Sequence, residues 1–131
     1  MENKKIKKGK KILIVEDEAF QIKILGDIFT AEGFDVLKAS DGEEGLNVAL
    51  REHPDLILLD ILLPKIDGIT MLKELRKNSW GKNIPVVILT NLVEAEKAKE
   101  ALEEGVYDFL IKANSGLDEI LKKVKEKLAN K

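Results

Sequence analysis

Pro54-Asp55-Leu56-Ile57-Leu58-Leu59-Asp60-Ile61-Leu62-Leu63-Pro64-Lys65-Ile66-Asp67-Gly68 reads as a buried strand running into a carboxylate, then a turn and a helix start. Four consecutive aliphatic residues, Leu56–Leu59, suit a strand covered on both faces of a parallel sheet. His53-Pro54 bars a helix from continuing into the run. Asp67-Gly68 has the chemistry of a turn and helix cap rather than of a ligand. Asp60 therefore sits at a strand end with a loop immediately behind it.

Outward from this stretch the same unit repeats. Ile12–Val15, a weaker run at Phe34–Leu37, Val86–Leu89 and Phe109–Ile111 are further short aliphatic strands. Helical patterns separate them. One covers about 19–32 (Ile24, Leu25, Ile28, Phe29), with Gly33 as its stop. Ser40-Asp41-Gly42-Glu43 has capping-box spacing and opens a second helix that ends before His53. A third follows Gly68, a fourth spans about 94–104 before Gly105, and a fifth spans about 116–129. Five β-α units in strict alternation imply an α/β, doubly wound three-layer sandwich. Five parallel strands and five helices in this length fit the flavodoxin-like order 2-1-3-4-5.

Composition narrows the class. With 44% hydrophobic and 35% charged residues, the chain reads as a folded globular domain, not a disordered one. Residues 1–11 carry six lysines against Glu2, a balance of +5; the net −2 of the whole chain then leaves −7 on residues 12–131. The acidic body gives no footing for direct nucleic acid binding. Residues 1–10 read as a basic tail and 11–131 as one domain. There is no cysteine, hence no disulfide or thiolate metal site. No apolar run approaches a membrane span or a signal-peptide core, so a cytoplasmic protein without membrane contact is expected.

In such a sheet, ligands bind at the edge where the strands end, beside the switch between strands 1 and 3. Strand 1 runs out into Glu16-Asp17-Glu18, strand 3 into Asp60, strand 4 into Thr90 and strand 5 into Lys112. Neighbouring strands lie about 4.8 Å apart, which makes Asp17 and Asp60 close neighbours and puts Lys112 roughly 10 Å from Asp60 at the backbone. Carboxylates that close raise one another's pKa unless a cation intervenes. An all-oxygen donor set with vacant positions favours Mg²⁺. Lys112 is expected to leave a gap fit for a phosphoryl oxygen, with the Thr90 hydroxyl facing another such oxygen.

The motifs Ile12-Leu13-Ile14-Val15-Glu16-Asp17-Glu18, Pro54 to Gly68 as quoted, Ile84-Pro85-Val86-Val87-Ile88-Leu89-Thr90, and Gly105-Val106-Tyr107-Asp108-Phe109-Leu110-Ile111-Lys112 resemble the receiver domain of response regulators. The resemblance extends from Lys11 to about Leu128. It implies two-component signal transduction with Asp60 as phosphoacceptor. It also implies Mg²⁺ (or Mn²⁺) held by Asp17, Asp60 and the carbonyl of Leu62, with Glu16 assisting through water. Lys112, Thr90 and Asn91 would face the phosphoryl group, and Thr90 and Phe109 occupy the switch positions. The implied donor is a sensor histidine kinase or a histidine phosphotransfer protein. The implied output is a downstream protein at the face of helix 4, strand 5 and helix 5, and a monomer or a phosphorylation-dependent dimer is expected. The domain would be a stoichiometric acceptor with slow autodephosphorylation, not a turnover enzyme.

Several positions admit two readings. Phe20, Gln21 and Ile24 suit either kinase docking or core packing. Phe109 is either a switch ring or ordinary core. Asn91, where the family usually has a small residue, either narrows access or donates to the phosphoryl group. Ala113 replaces the family's usual proline after the lysine and loosens the placement of Lys112. Leu62 and Leu92 occupy positions that influence hydrolysis in the family, and two apolar side chains there predict a long-lived phosphoryl state. His53 is expected in solvent, and Trp80 as a local packing residue far from Asp60. The competing functions are a degenerate receiver serving as an interaction module, and an aspartyl-phosphate hydrolase. The hydrolase would need Asp-x-Asp after strand 1, where this chain has Glu16-Asp17-Glu18.

Overall fold

Aliphatic runs and helical stretches alternate along the chain in the computed structural model, which describes residues 9–91, 95–106, 108–112 and 116–129. The basic segment up to Lys8, Tyr107, Leu92 and Ala113 lie outside those residues. The order is β1 (Lys11–Val15), α1 (Ala19–Ala31), β2 (Asp35–Ala39), α2 (Gly42–Glu52), β3 (Leu56–Leu59), α3 (Gly68–Lys77), β4 (Val86–Thr90), α4 (Ala95–Glu103), β5 (Asp108–Ile111) and α5 (Leu117–Ala129). The strands form one sheet in the order β2-β1-β3-β4-β5, every pair parallel. The expected flavodoxin-like sandwich is the fold.

Alternation within each strand divides the core in two. Leu13, Val15, Ile57, Leu59, Val86 and Ile88 face one side, where α2 and α3 supply Val48, Met71, Leu72 and Leu75. Ile12, Ile14, Leu56, Leu58, Val87 and Leu89 face the other, against Leu25 and Phe29 of α1 and Ile120, Val124 and Leu128 of α5. Each such side chain contributes about 1.5–3 kcal/mol on burial. β1, β3 and β4 meet the expectation of strands covered on both faces. The outer strands do not: in β2 only Ala39 is buried, and β5 is half-buried throughout, because the helix layers do not extend fully over the sheet's rims.

One local detail differs from the sequence expectation. The capping box of α2 lies one residue later than Ser40–Glu43. Asp41 is the extended N-cap residue, and its carboxylate accepts from the Glu44 amide at 2.7 Å. Glu44 in turn accepts from the Ser40 amide at 2.8 Å. At the other end α2 stops on His53, which takes the left-handed conformation (φ 49°) without being glycine. Its ring is exposed, as expected, and one face stacks on Trp80 with centroids 4.4 Å apart and planes 11° from parallel.

Candidate functional site

Register decides what meets what at the carboxyl edge. Val15 is level with Leu59, so the residues that follow, Glu16 and Asp60, are direct neighbours, and Asp17 lies one step further out. Asp17 and Asp60 are still close neighbours, as expected, with carboxylate oxygens within 4.8 Å. The backbone holds this edge tightly: the Asp60 amide donates to Val15 O at 3.1 Å, and the Glu16 amide to Ala39 O at 3.0 Å. Thr90 ends β4 level with Ile111, and the Lys112 amide donates to the Thr90 carbonyl at 2.9 Å, which brings the lysine back over the site.

Glu16, Asp17, Glu18, Asp60, Leu62, Thr90, Asn91 and Lys112 line one hollow of about 430 Å³. Glu16, Asp17 and Asp60 each present a carboxylate oxygen within 4.8 Å of the others. Glu16, Asp60 and Thr90 are buried, whereas Asp17 is exposed. Lys112 Nζ lies 2.5 Å from Glu16 Oε1 and 3.1 Å from Asp60 Oδ2, with all three side chains 10% exposed or less. This corrects the expected gap between lysine and aspartate. The ammonium bonds directly to both carboxylates.

Three carboxylates around one ammonium leave a surplus of negative charge. Burial pushes the Glu16 carboxyl above its usual range, and the hydrogen bond from Lys112 only partly offsets it. Burial also acts to lower the Lys112 pKa, but its hydrogen bond with Glu16 and the field of Asp60 outweigh that, and the net shift is upward. The lysine is therefore firmly protonated. An oxygen-only, net anionic donor set with one member open to water fits a hard divalent cation that keeps several waters.

The neighbouring loop is built around close approaches. The Leu62 amide donates to Asp60 Oδ1 at 3.2 Å. Gly68 packs so near Asp60 that a Cβ there would come within 2.3 Å of the Asp60 carbonyl oxygen, and its amide donates to Ile61 O at 2.8 Å. Asp67 accepts from the Thr70 amide at 2.8 Å, the cap rather than a ligand. Glu18 is the N-cap residue of α1, with no side-chain cap hydrogen bond.

The chain matches the family described as "Response regulator receiver domain" over residues 12–125. It belongs to that family. Among curated relatives, the receiver is 43% identical over 104 residues to the alkaline phosphatase synthesis transcriptional regulatory protein PhoP of Bacillus subtilis, which covers 79% of this chain and 42% of PhoP. It spans about two-fifths of the length of the curated relatives it matches first. A CheY-like receiver domain protein from Methanospirillum hungatei superposes with a TM-score of 0.87 at 29% identity, covering 93% of this chain and 95% of that one. The CheY of a CheX–CheY–BeF3–Mg²⁺ complex from Borrelia burgdorferi superposes with a TM-score of 0.80 at 33% identity, covering 89% and 87%. Phosphorylation on aspartate is the general mechanism of the family.

Every strand-end residue singled out from the sequence faces this one hollow. Phe109 does not. Level with Ile88, it is half-buried and packs against the α2–α3 side of the core. Phe20 is 71% exposed at the start of α1, while Gln21 and Ile24 are half-buried beside it. Among the described residues no helix is long and apolar enough to cross a membrane. Arg76 went unremarked in the sequence although it is one of two arginines among twenty lysines, which was its only signal. Its guanidinium donates to the carbonyls of Glu104, Gly81 and Ile84 at 2.8–3.0 Å.

Proposed function

We propose that Asp60 is the phosphoacceptor and that this receiver is switched by a phosphoryl group taken from a histidine kinase or histidine phosphotransfer protein. The observation that carries the reading is buried Asp60, with the carboxylates of Glu16 and Asp17 within 4.8 Å and the Lys112 ammonium bonded to it at 3.1 Å. Asp17, Asp60 and the Leu62 carbonyl would hold Mg²⁺, with Glu16 acting through water. When bound, the ion would supply positive charge to the phosphoryl oxygens in the transition state.

This chain's own residues do the rest. A carboxylate oxygen of Asp60 attacks phosphorus in line; the O–P bond forms as the bond from phosphorus to the donor's imidazole nitrogen breaks, and the nitrogen keeps the electron pair. Lys112, released from its bond to Asp60, neutralises the added charge. The Thr90 hydroxyl and the Asn91 side chain line the same hollow and receive the remaining oxygens. Movement of Thr90 toward the phosphoryl group biases the packing of Phe109 and of the face formed by α4, β5 and α5, where a downstream protein or a second copy docks. Exposed Phe20, with Gln21 and Ile24, is the docking edge for the donor. The setting is the cytoplasm.

Incubation with acetyl phosphate and Mg²⁺, followed by intact mass, tests this. The native protein gains one phosphoryl group per chain and releases it slowly. Asp60→Ala gains none, and native protein in EDTA gains none. A phosphoryl adduct on Asp60→Ala, or steady multiple turnover by the native protein, would overturn the proposal.

A further inference from the structure

We propose that the start of α2 is the seat that fixes the loop of residues 61–67, and that Gly42 and Lys65 thereby act as positioning residues for the metal ligands; this rests on the Mg²⁺ reading above. Residues 64–66 grip residues 41–43 at consecutive points. The Gly42 amide donates to the Pro64 carbonyl at 3.4 Å. The Lys65 ammonium lies 3.8 Å from Asp41 Oδ2 and 3.7 Å from Glu43 Oε1. The Ile66 carbonyl oxygen occupies the place of a side chain at Gly42: a Cβ there would come within 1.9 Å of it.

Neither body on either side of this contact can give way. Helix α2 is pressed on the sheet at Gly45, where a Cβ would come within 2.9 Å of Val15 Cγ1 and 3.0 Å of Met71 Sδ. The far end of the loop is fastened at Gly68, under the Asp60 carbonyl. Lys65 itself sits at φ 68°, a left-handed conformation that costs a non-glycine residue energy and persists only where its surroundings impose it. The near end is held at Asp60, whose amide donates to Val15 O at 3.1 Å, so a displacement of Ile66 is taken up by the residues between the two anchors, Leu62 among them. Only a residue without a side chain at position 42 lets α2 and this loop meet while Leu62 stays where the carboxylates need it.

The test uses the full chain as native protein, Gly42→Ala, Gly45→Ala and Lys65→Val. Magnesium affinity is measured by calorimetry without a phosphodonor, melting temperature and Leu62 amide exchange in EDTA. Gly42→Ala is expected to weaken Mg²⁺ binding about tenfold, as loss of a ligand's supporting contact commonly does. Lys65→Val places a β-branched residue at positive φ on an exposed loop and is expected to weaken it about threefold. Gly45→Ala meets core side chains in the same helix; it lowers the melting temperature while Mg²⁺ affinity stays native. The Leu62 amide exchanges faster in the first and third variants only. Native affinity in both Gly42→Ala and Lys65→Val, or an equal loss in Gly45→Ala, overturns the proposal. If Gly42→Ala does not fold, Lys65→Val decides by itself. If the native protein binds no Mg²⁺, the reading of the metal site fails, while Leu62 amide exchange still decides whether α2 positions the loop.

Discussion

The two edges of the sheet handle charge in opposite ways. At the amino edge several charges meet their complements. The Lys11 amide donates to Asp55 at 2.8 Å, and Lys10 lies 3.9 Å from the same carboxylate. Asp108 is flanked by Lys123 at 3.6 Å and Lys127 at 2.8 Å. Arg76 ties the ends of α3 and α4 to the strand 4 approach through three carbonyls. At the carboxyl edge three carboxylates crowd around a single ammonium. One end of the molecule pairs its charges, and the other keeps a surplus of negative charge that a bound cation would offset.

Substitutions at the two edges should therefore separate stability from ligand response. The largest effect is expected at Arg76. Arg76→Met strands three carbonyls and should cost about 2–3 kcal/mol of unfolding free energy in urea melts. Its Mg²⁺ affinity should remain native, and a parallel loss there would erase the distinction between the edges.

At the other edge, Glu16 should dominate the pH response. Its raised pKa means that folding favours the neutral carboxyl, so its contribution to stability in EDTA is present at low pH and is lost as pH rises through the folded-state pKa. Magnesium has the opposite sign, because the ion competes with that proton: affinity should start to fall, on acidification, from above the ordinary carboxylate range. Glu16→Gln should flatten both profiles between that range and neutrality. Calorimetric titrations and urea melts across a pH series read the two together; an unchanged native profile in the variant would refute the role of Glu16.

The smallest effect is expected at the His53–Trp80 stack. Trp80→Leu should lower stability by about 0.5–1.5 kcal/mol, the scale of one aromatic contact. Since Trp80 belongs to the opposite edge, its emission in the native protein should not change on adding Mg²⁺. A clear change would mean that the edges communicate.

Much of this was legible in the linear chain, for identifiable reasons. Leu56–Leu59 and its counterparts are short, continuous and aliphatic, and strict alternation with helical stretches leaves few ways to cover both faces of a sheet. Strand ends in Asp60, Thr90 and Lys112 follow directly from where each run stops. The closeness of Asp17 to Asp60 was legible, but that Glu16 stands level with Asp60 was not, since register is set by contacts across the sheet. The stacking of His53 on Trp80 and the three carbonyls on Arg76 join residues that no local pattern connects.

The order of residues by itself determined the five β-α units, the edge on which the chemistry collects and the residue types found there, because hydrophobic periodicity and strand direction are local properties. Only the tertiary structure decided that Lys112 bonds both Glu16 and Asp60, and that a glycine at the head of α2 underlies the loop beside Asp60. Those contacts depend on distances of a few tenths of an ångström between segments brought together by packing, and packing is settled by the whole core at once.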